Sequence, residues 1–436
     1  MRQQRSALRR VLVIAYYFPP MGLSGVQRVA KFVKYLPSVG WQPVVLTVEP
    51  GGYFAFDEGL LHEVQAAGAE ILRTRSIDPT RLFGRQRRVA LPQETTRRRL
   101  STLSQWAFVP DNKVGWVPFA VQAGLRAHRA RPFEAILSSA PPYSAHLIGA
   151  LLSRWLQLPY VADFRDDWLG NPRHVYPTAA HQALHRALER ACLRQTGHAV
   201  AINPHMAAAL RARHPDRPGN WLHVIEQGYD PADVGEGPLA PAEEAGSGRS
   251  CFTMVYSGVF YDAQQPDTFV RGLALFLERT PQARRWVQAR FVGLMPEAGR
   301  RLIHELNVQD HVVEVGYVPH EEALREIRAA SVLWMTIGRQ PGAAGISTSK
   351  LYEYIGTRRP ILGLVPEGVA ADTLQAYGAS QVVAPDDPAA VAEALAAWFN
   401  AWQEDRLPIP DPDVVARYDR RGLTKQLGHL LDQATR

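Results

Sequence analysis

The chain has 436 residues, 46% of them hydrophobic and 21% charged, too long for one ordinary core and too apolar for a disordered chain. The net charge of +7 favours anionic partners such as phospholipid surfaces or diphosphates. Cys192 and Cys251 offer neither metal-ligand spacing nor a disulfide framework, so a reducing cytoplasm is expected.

The N-terminus, Met1-Arg2-Gln3-Gln4-Arg5, is basic, but the apolar run after it leads into Phe18-Pro19-Pro20. It has no signal-peptide core or cleavage site, and no apolar run in the chain is long enough to span a bilayer. Residues 11–15 read as a buried strand ending at the glycine loop Met21-Gly22-Leu23-Ser24-Gly25. Val26 to Leu36 then shows helical spacing, with Val29, Phe32, Val33 and Leu36 on one side, and 44–48 is the next strand. This strand–loop–helix–strand unit is the signature of a doubly wound sheet. Further strands are predicted at 135–137, 160–162 and 198–202, with the clearest helices at 145–156 and 179–193.

Between 81 and 99 lie Arg81, Arg85, Arg87, Arg88, Arg97, Arg98 and Arg99, interleaved with Leu82, Phe83, Val89 and Leu91. This is either a solvated basic loop or a patch resting on an anionic membrane. No recognition module supports nucleic-acid binding. The Pro-, Gly- and Glu-rich stretch before Cys251 reads as a linker. A second alternation follows, with strands at 253–256, 289–292, 312–315, 332–335, 361–364 and 381–383 and helices between them. A last helix runs from about 420 to the end. The predicted domains are therefore 1–235, a linker at 236–250, a second domain at 251–405 and a C-terminal helical segment at 406–436.

Four stretches carry candidate chemistry. The glycine loop at Gly22 and Gly25 is either a plain turn or a close approach of backbone to an anionic ligand. Ser138-Ser139-Ala140-Pro141-Pro142-Tyr143-Ser144-Ala145-His146 ends a strand and enters a helix. His146 there either meets a substrate or is satisfied within the fold. Asp163-Phe164-Arg165-Asp166-Asp167 follows the buried strand Tyr160-Val161-Ala162. Its carboxylates and arginine either face a ligand at the strand end or form an Arg–Asp bridge. Finally, Ser347-Thr348-Ser349-Lys350-Leu351-Tyr352-Glu353 reads as a capped helix start. Its uncovered N–H groups and Lys350 form an anion site, and Glu353, one turn after Ser349, suits sugar hydroxyls. That combination points to a nucleoside diphosphate. His181 and His185 share a helix spacing but lack a third metal ligand and read as a surface pair. Asp166-Asp167 makes no Asp-x-Asp, and there is no phosphate loop or nucleophile elbow. No metal site is expected.

These stretches also resemble a family. The opening Val11-Leu12-Val13-Ile14-Ala15-Tyr16-Tyr17-Phe18-Pro19-Pro20 through Gly22 and Gly25 is similar to the start of retaining glycosyltransferases of family 4. Ala162 to Trp168, Tyr256-Ser257-Gly258, Gly316-Tyr317-Val318-Pro319-His320 and Lys350 to Leu362 follow in that family's order. The family's bacterial polysaccharide members are the nearest in kind. The resemblance implies a B-type glycosyltransferase fold: two Rossmann-like domains facing a cleft, acceptor side first and donor side second, with a C-terminal helix returning to the first domain. It implies transfer of a sugar, with retention, from a nucleotide-diphosphate sugar to a polysaccharide or lipid-linked acceptor, without a metal or other cofactor. Donor contacts are expected from Gly22, Gly25, Gly258, Gly345, Ile346, Ser347, Ser349, Lys350 and Glu353. Catalytic roles are expected for Asp163, Arg165, Asp166 and Lys350, and acceptor contacts for His146, Asp163 and Arg165. The implied place is the cytoplasm, on the inner membrane face if the 81–99 patch binds lipid.

The chain departs from the family twice. Gly345 stands where many members carry a glutamate, eight positions before Glu353. Val259-Phe260-Tyr261-Asp262-Ala263-Gln264-Gln265 has no basic residue where a diphosphate clamp often follows Gly258. Phosphate charge then falls to Lys350, the helix tip and Arg339. These losses also fit a catalytically weak binding or scaffold subunit, and a nucleotide-sugar epimerase is a third reading.

Overall fold

The computed structural model describes residues 8–22, 24–51, 56–79, 103–171, 174–235, 251–260 and 263–436. The basic stretch 81–99 and the expected linker 236–250 lie outside the described residues. The chain divides into two compact units, Met1–Glu226 with Arg420–Arg436, and Gln227–Asp419.

The first unit holds seven strands: β1 (Arg9–Ile14), β2 (Trp41–Val48), β3 (Glu70–Thr74), β4 (Ala135–Ala140), β5 (Tyr160–Phe164), β6 (His198–Ala201) and β7 (Leu222–Val224). They form one sheet in the order β3-β2-β1-β4-β5-β6-β7, every pairing parallel. Such a sheet must be covered on both faces, which is why its central strands read as continuous apolar runs. Alternation sorts β1 between the faces. Leu12 and Ile14 pack with Trp116, Ile148 and Leu152 on one side, while Val11 and Val13 pack with Val29, Phe32 and Val33 on the other.

The final helix, Arg420–Ala434, completes that second face. Leu423, Leu427, Leu430 and Leu431 are buried against the helix Ser24–Tyr35. Asp432 fixes its end, accepting from Arg9 at 3.0 Å and from the Trp41 indole at 3.1 Å. Gly428 admits Val39, whose Cγ2 would lie 2.8 Å from any added Cβ.

The second unit has six strands: β8 (Phe252–Ser257), β9 (Val287–Val292), β10 (Val312–Gly316), β11 (Val332–Thr336), β12 (Ile361–Leu364) and β13 (Ser380–Val383). Their order is β10-β9-β8-β11-β12-β13, again parallel throughout. Trp334 stacks on Phe269 at 3.9 Å in one core. Residues before β8 belong to this unit too: Tyr229 and Val234 are buried with Leu351, Tyr354 and Tyr418 in its other core.

The predicted strands and helices of both sheets form at the expected places. Elements the sequence did not announce are the edge strands β3 and β7 and the helices Glu58–Ala66, Val117–Ala130 and Pro204–Arg213. β3 reads Glu-Ile-Leu-Arg-Thr and β7 has three residues, so neither presents a period to detect. Among the described residues no helix is long and apolar enough to cross a membrane.

Leu431 is fully buried. Leu431→Ala should cost the first unit about 2–4 kcal/mol through lost burial and a residual cavity. Chemical unfolding followed by circular dichroism checks this, and an unchanged midpoint would contradict the helix's place in that core.

Candidate functional site

In a doubly wound sheet, ligands bind beyond the carboxyl ends of the strands where strand order reverses. That point falls between β1 and β4 in the first unit and between β8 and β11 in the second. The segments at Gly22, Ser139 and Gly258 leave the sheets there, and the Asp163 cluster ends the next strand, β5.

In the first unit, Gly22 is packed closely. An added Cβ would meet the Phe56 carbonyl carbon at 3.0 Å and Asp57 Cβ at 3.2 Å. Asp57 starts the next helix, its carboxylate accepting from Leu60 N–H, while its own N–H donates to Pro20 O at 2.8 Å. Gly22 therefore lets a helix start dock on the loop. Gly25 is exposed and uncrowded, with Arg165 Nη1 at 3.6 Å from a built Cβ.

Asp163 is buried at the end of β5. Arg28 donates to it at 2.7 Å, and the Ser139 hydroxyl also donates at 2.7 Å. Arg28 is 1% exposed and also donates to Ile225 O at 2.8 Å and Glu226 O at 2.7 Å. Burial alone would raise the Asp163 carboxyl, but the Arg28 charge and these hydrogen bonds hold it below the usual carboxylate range. Arg165 is buried as well, donating to the carbonyls of Gly25 and Pro141. Of the cluster, Asp166 faces solvent, and Asp167 accepts from Arg213 at 3.0 Å. Thus Asp163 and Arg165 are engaged within the unit, tying β5 to the loops after β1 and β4.

His146 is fully buried. Its Nδ1 lies 2.7 Å from the Ser138 hydroxyl, and its Nε2 is buried without a hydrogen bond. Desolvation pushes its pKa down to about 3, so the ring is neutral. His185 corrects the surface-pair expectation. It is buried and accepts from the Trp168 indole at 3.0 Å, while half-buried His181 faces Trp106.

In the second unit, the helix Ser349–Thr357 starts beside the end of β8. Tyr354 OH accepts from the Ser257 N–H at 2.7 Å, pinning helix to strand. The Lys350 ammonium lies 3.6 Å from the centre of the Tyr256 ring. A Cβ on Gly258 would come within 3.1 Å of that ammonium, and Gly258 has φ 136°. The positive φ calls for glycine there, and the contact leaves little room for a side chain beside the ammonium. Desolvation pushes Lys350 down to about 7, partly offset by the Glu353 charge. Among the described residues no carboxylate lies within ion-pairing distance of it.

The expected side-chain cap is not made. Thr348 precedes the helix without a capping bond, and its hydroxyl oxygen is buried with no partner. Ser347 instead bonds to Tyr352 OH at 2.7 Å, and Ser349 begins the first turn half-buried. In the first turn the Leu351 N–H donates to Thr348 O at 3.2 Å, while the N–H groups of Ser349 and Lys350 lie too early in the helix for an intrahelical acceptor. Half-buried Ile346 packs on the neighbouring core, and Gly345 closes a short turn onto Gly342 O at 3.1 Å. Arg339 is exposed and pairs with Asp386 at 3.1 Å. The structure thus brings Gly258, Thr348, Ser349 and Lys350 together, with Glu353 on the next turn.

Sequence reading missed Arg28 and Tyr256. Arg28 sits one turn into the helix after the glycine loop. Only tertiary packing brings it to Asp163, 135 residues further along the chain. Tyr256 directly precedes the Ser257-Gly258 turn and looks like one more strand aromatic.

An ammonium against a ring face, a helix start and a buried hydroxyl without a partner therefore come together at this strand end. No family model matches the chain, and no curated protein matches it in sequence. Solved structures do. Anabaena HepE in complex with UDP and glucose superposes with a TM-score of 0.62 at 13% identity, over 98% of this chain and 100% of that one. A glycosyltransferase from Rickettsia africae gives 0.65 at 12% identity, over 98% and 99%. Sucrose-phosphate synthase from Thermosynechococcus elongatus gives 0.59 at 16% identity, over 98% of each. The chain has the fold of the B-type glycosyltransferases, two Rossmann-like units in one chain.

The buried Arg28–Asp163 pair yields a direct test. Asp163→Asn leaves a buried guanidinium uncompensated and should destabilise the first unit by about 3–5 kcal/mol. Asp166→Asn, on the surface, should stay within about 0.5 kcal/mol of the parent. Urea melts of both variants check the contrast, and equal midpoints would refute it.

Proposed function

We propose that the protein is a retaining glycosyltransferase. It moves a sugar from a nucleotide-diphosphate sugar to a polysaccharide or lipid-linked acceptor in bacterial envelope glycan synthesis. The observation that carries this reading is Lys350, lodged between Tyr256 and Gly258 at a helix start. The fold adds support, since UDP is bound in the HepE structure.

In the proposed reaction the bond between the anomeric carbon and the diphosphate breaks through an oxocarbenium-like transition state. Negative charge grows on the leaving diphosphate. Lys350 and the N–H groups of the first turn meet it with charge and dipoles already in place. The Thr348 hydroxyl has an open hydrogen bond to give, and Glu353 holds the ribose. The first unit takes the acceptor near Asp166, on a frame set by Asp163 and Arg165, with His146 behind it. No step in this scheme uses a metal. The enzyme works in the cytoplasm, and the 81–99 stretch is proposed to face an anionic membrane surface. The scaffold reading is favoured by Gly345 and by the missing basic clamp after Gly258.

Calorimetric titration with UDP, GDP and ADP separates the two. One diphosphate should bind, and Lys350→Ala should weaken it by on the order of 1–3 kcal/mol. No binding to any of the three by the folded protein would leave the scaffold reading.

The pH dependence follows from the lowered lysine. An anion favours the protonated amine, so binding raises its pKa above about 7. Below that pH the lysine is already charged and affinity is at its maximum. Above it, affinity for the matching nucleotide sugar should fall by up to about tenfold per pH unit until the bound-state pKa is reached. Titrations across this range check the slope, and a slope that persists in Lys350→Ala would assign it elsewhere.

A further inference from the structure

The helix Ala179–Gln195 in the first unit has an exposed face with an unusual charge balance. Its one acidic residue, Glu189, is fully buried and accepts from Arg213 at 3.3 Å and His214 at 2.8 Å. Arg186, Arg190 and Arg194 are exposed, four residues apart, and so form one row along the helix. No carboxylate among the described residues pairs with any of them. Ala183, Ala187 and Ala191 form the next exposed row. Leu184, 47% exposed, stands beside it.

A second segment widens the face. Residues 103–107 form a turn of helix bearing Leu103, 66% exposed, and Trp106, 52% exposed. Trp106 packs edge-on against His181 at 5.5 Å, and its carbonyl lies 3.3 Å from His181 Nε2. His181 is one turn before Leu184 on the same side of the long helix. Leu103, Trp106 and Leu184 therefore lie on one flank of the face, with the alanine row between them and the arginine row.

We infer that this face docks on a lipid bilayer rich in anionic headgroups. The arginine row supplies the complementary charge, with no exposed acid on the helix to oppose it. Leu103, Trp106 and Leu184 stand out far enough to enter the headgroup region, where tryptophan is favoured. The alanine row lets the helix lie flat. This deepens the membrane part of the proposed function with different residues, and it does not rest on the donor site.

Flotation with phosphatidylcholine vesicles, with and without phosphatidylglycerol, tests it. The parent should float with the anionic vesicles and stay down with the neutral ones. Substituting all three arginines (R186Q, R190Q and R194Q) should weaken binding on the order of a hundredfold. The matching lysine substitutions should retain it. The pair W106S and L184S should also lose binding, and brominated lipid should quench parent fluorescence more than that of W106S. Equal flotation of the glutamine variant and the parent, or none by the parent, would overturn the inference. So would loss of self-association in the glutamine variant with vesicle binding intact, which would assign the face to a second copy. UDP, GDP and ADP titrations of the same variants keep the two proposals apart, because donor affinity should not move.

Discussion

Parallel pairing is the constraint on which the rest of each unit depends. A parallel strand cannot return by a tight turn, so every strand is followed by a crossover and all carboxyl ends open on one edge. In the second unit that edge is built from glycine turns. Gly258, Gly293 and Gly316 follow or end three adjacent strands with φ values of 136°, 129° and 80°. The Gly258 N–H donates to Val292 O at 2.8 Å and the Gly293 N–H to Gly316 O at 2.7 Å. A Cβ on Gly293 would lie 2.0 Å from the Gly258 carbonyl oxygen. A side chain at Gly293 cannot enter this ladder, so backbone forms the floor there, beside Gly258 and Lys350.

The first unit solves a similar packing problem with charge. The segments after β1, β4 and β7 carry carbonyls with no strand partner. Arg165 reaches two of them and Arg28 two more, while Asp163 balances Arg28. A buried ion pair is a poor source of stability compared with apolar packing, but its geometry is demanding. Here it fixes the relation between a helix, a strand end and the backbone at residues 225 and 226. The cluster around Asp163 thus reads as a frame around the exposed Asp166.

The sequence showed the two alternations, the strands of both sheet centres and the helix start at Ser349, because those depend on apolar period and turn chemistry. It did not show pairings made across the sheet. The choice between ligand contact and salt bridge for Asp163 turned on Arg28, which is 135 residues away. The helix cap failed for a similar reason: Tyr352 claims Ser347, and tertiary packing overrides the local preference of Thr348. His185 looked exposed because helical spacing alone cannot tell which side faces Trp168.

Lys350 is costly to bury where it stands. Its ammonium has lost water and gained only a ring face and a carboxylate beyond ion-pairing distance, so near neutral pH the amine is only partly charged. An arginine would stay charged there and impose the full desolvation cost. In the proposed donor site a lysine can shed its proton in the apolar surroundings and regain it beside a phosphate. The buried, unpartnered Thr348 hydroxyl carries the same kind of cost. Two unsatisfied groups at one helix start, where N–H dipoles already favour negative charge, lower the stability of the free protein. Under the proposed function, that lost stability returns as binding energy for a diphosphate that satisfies both groups at once.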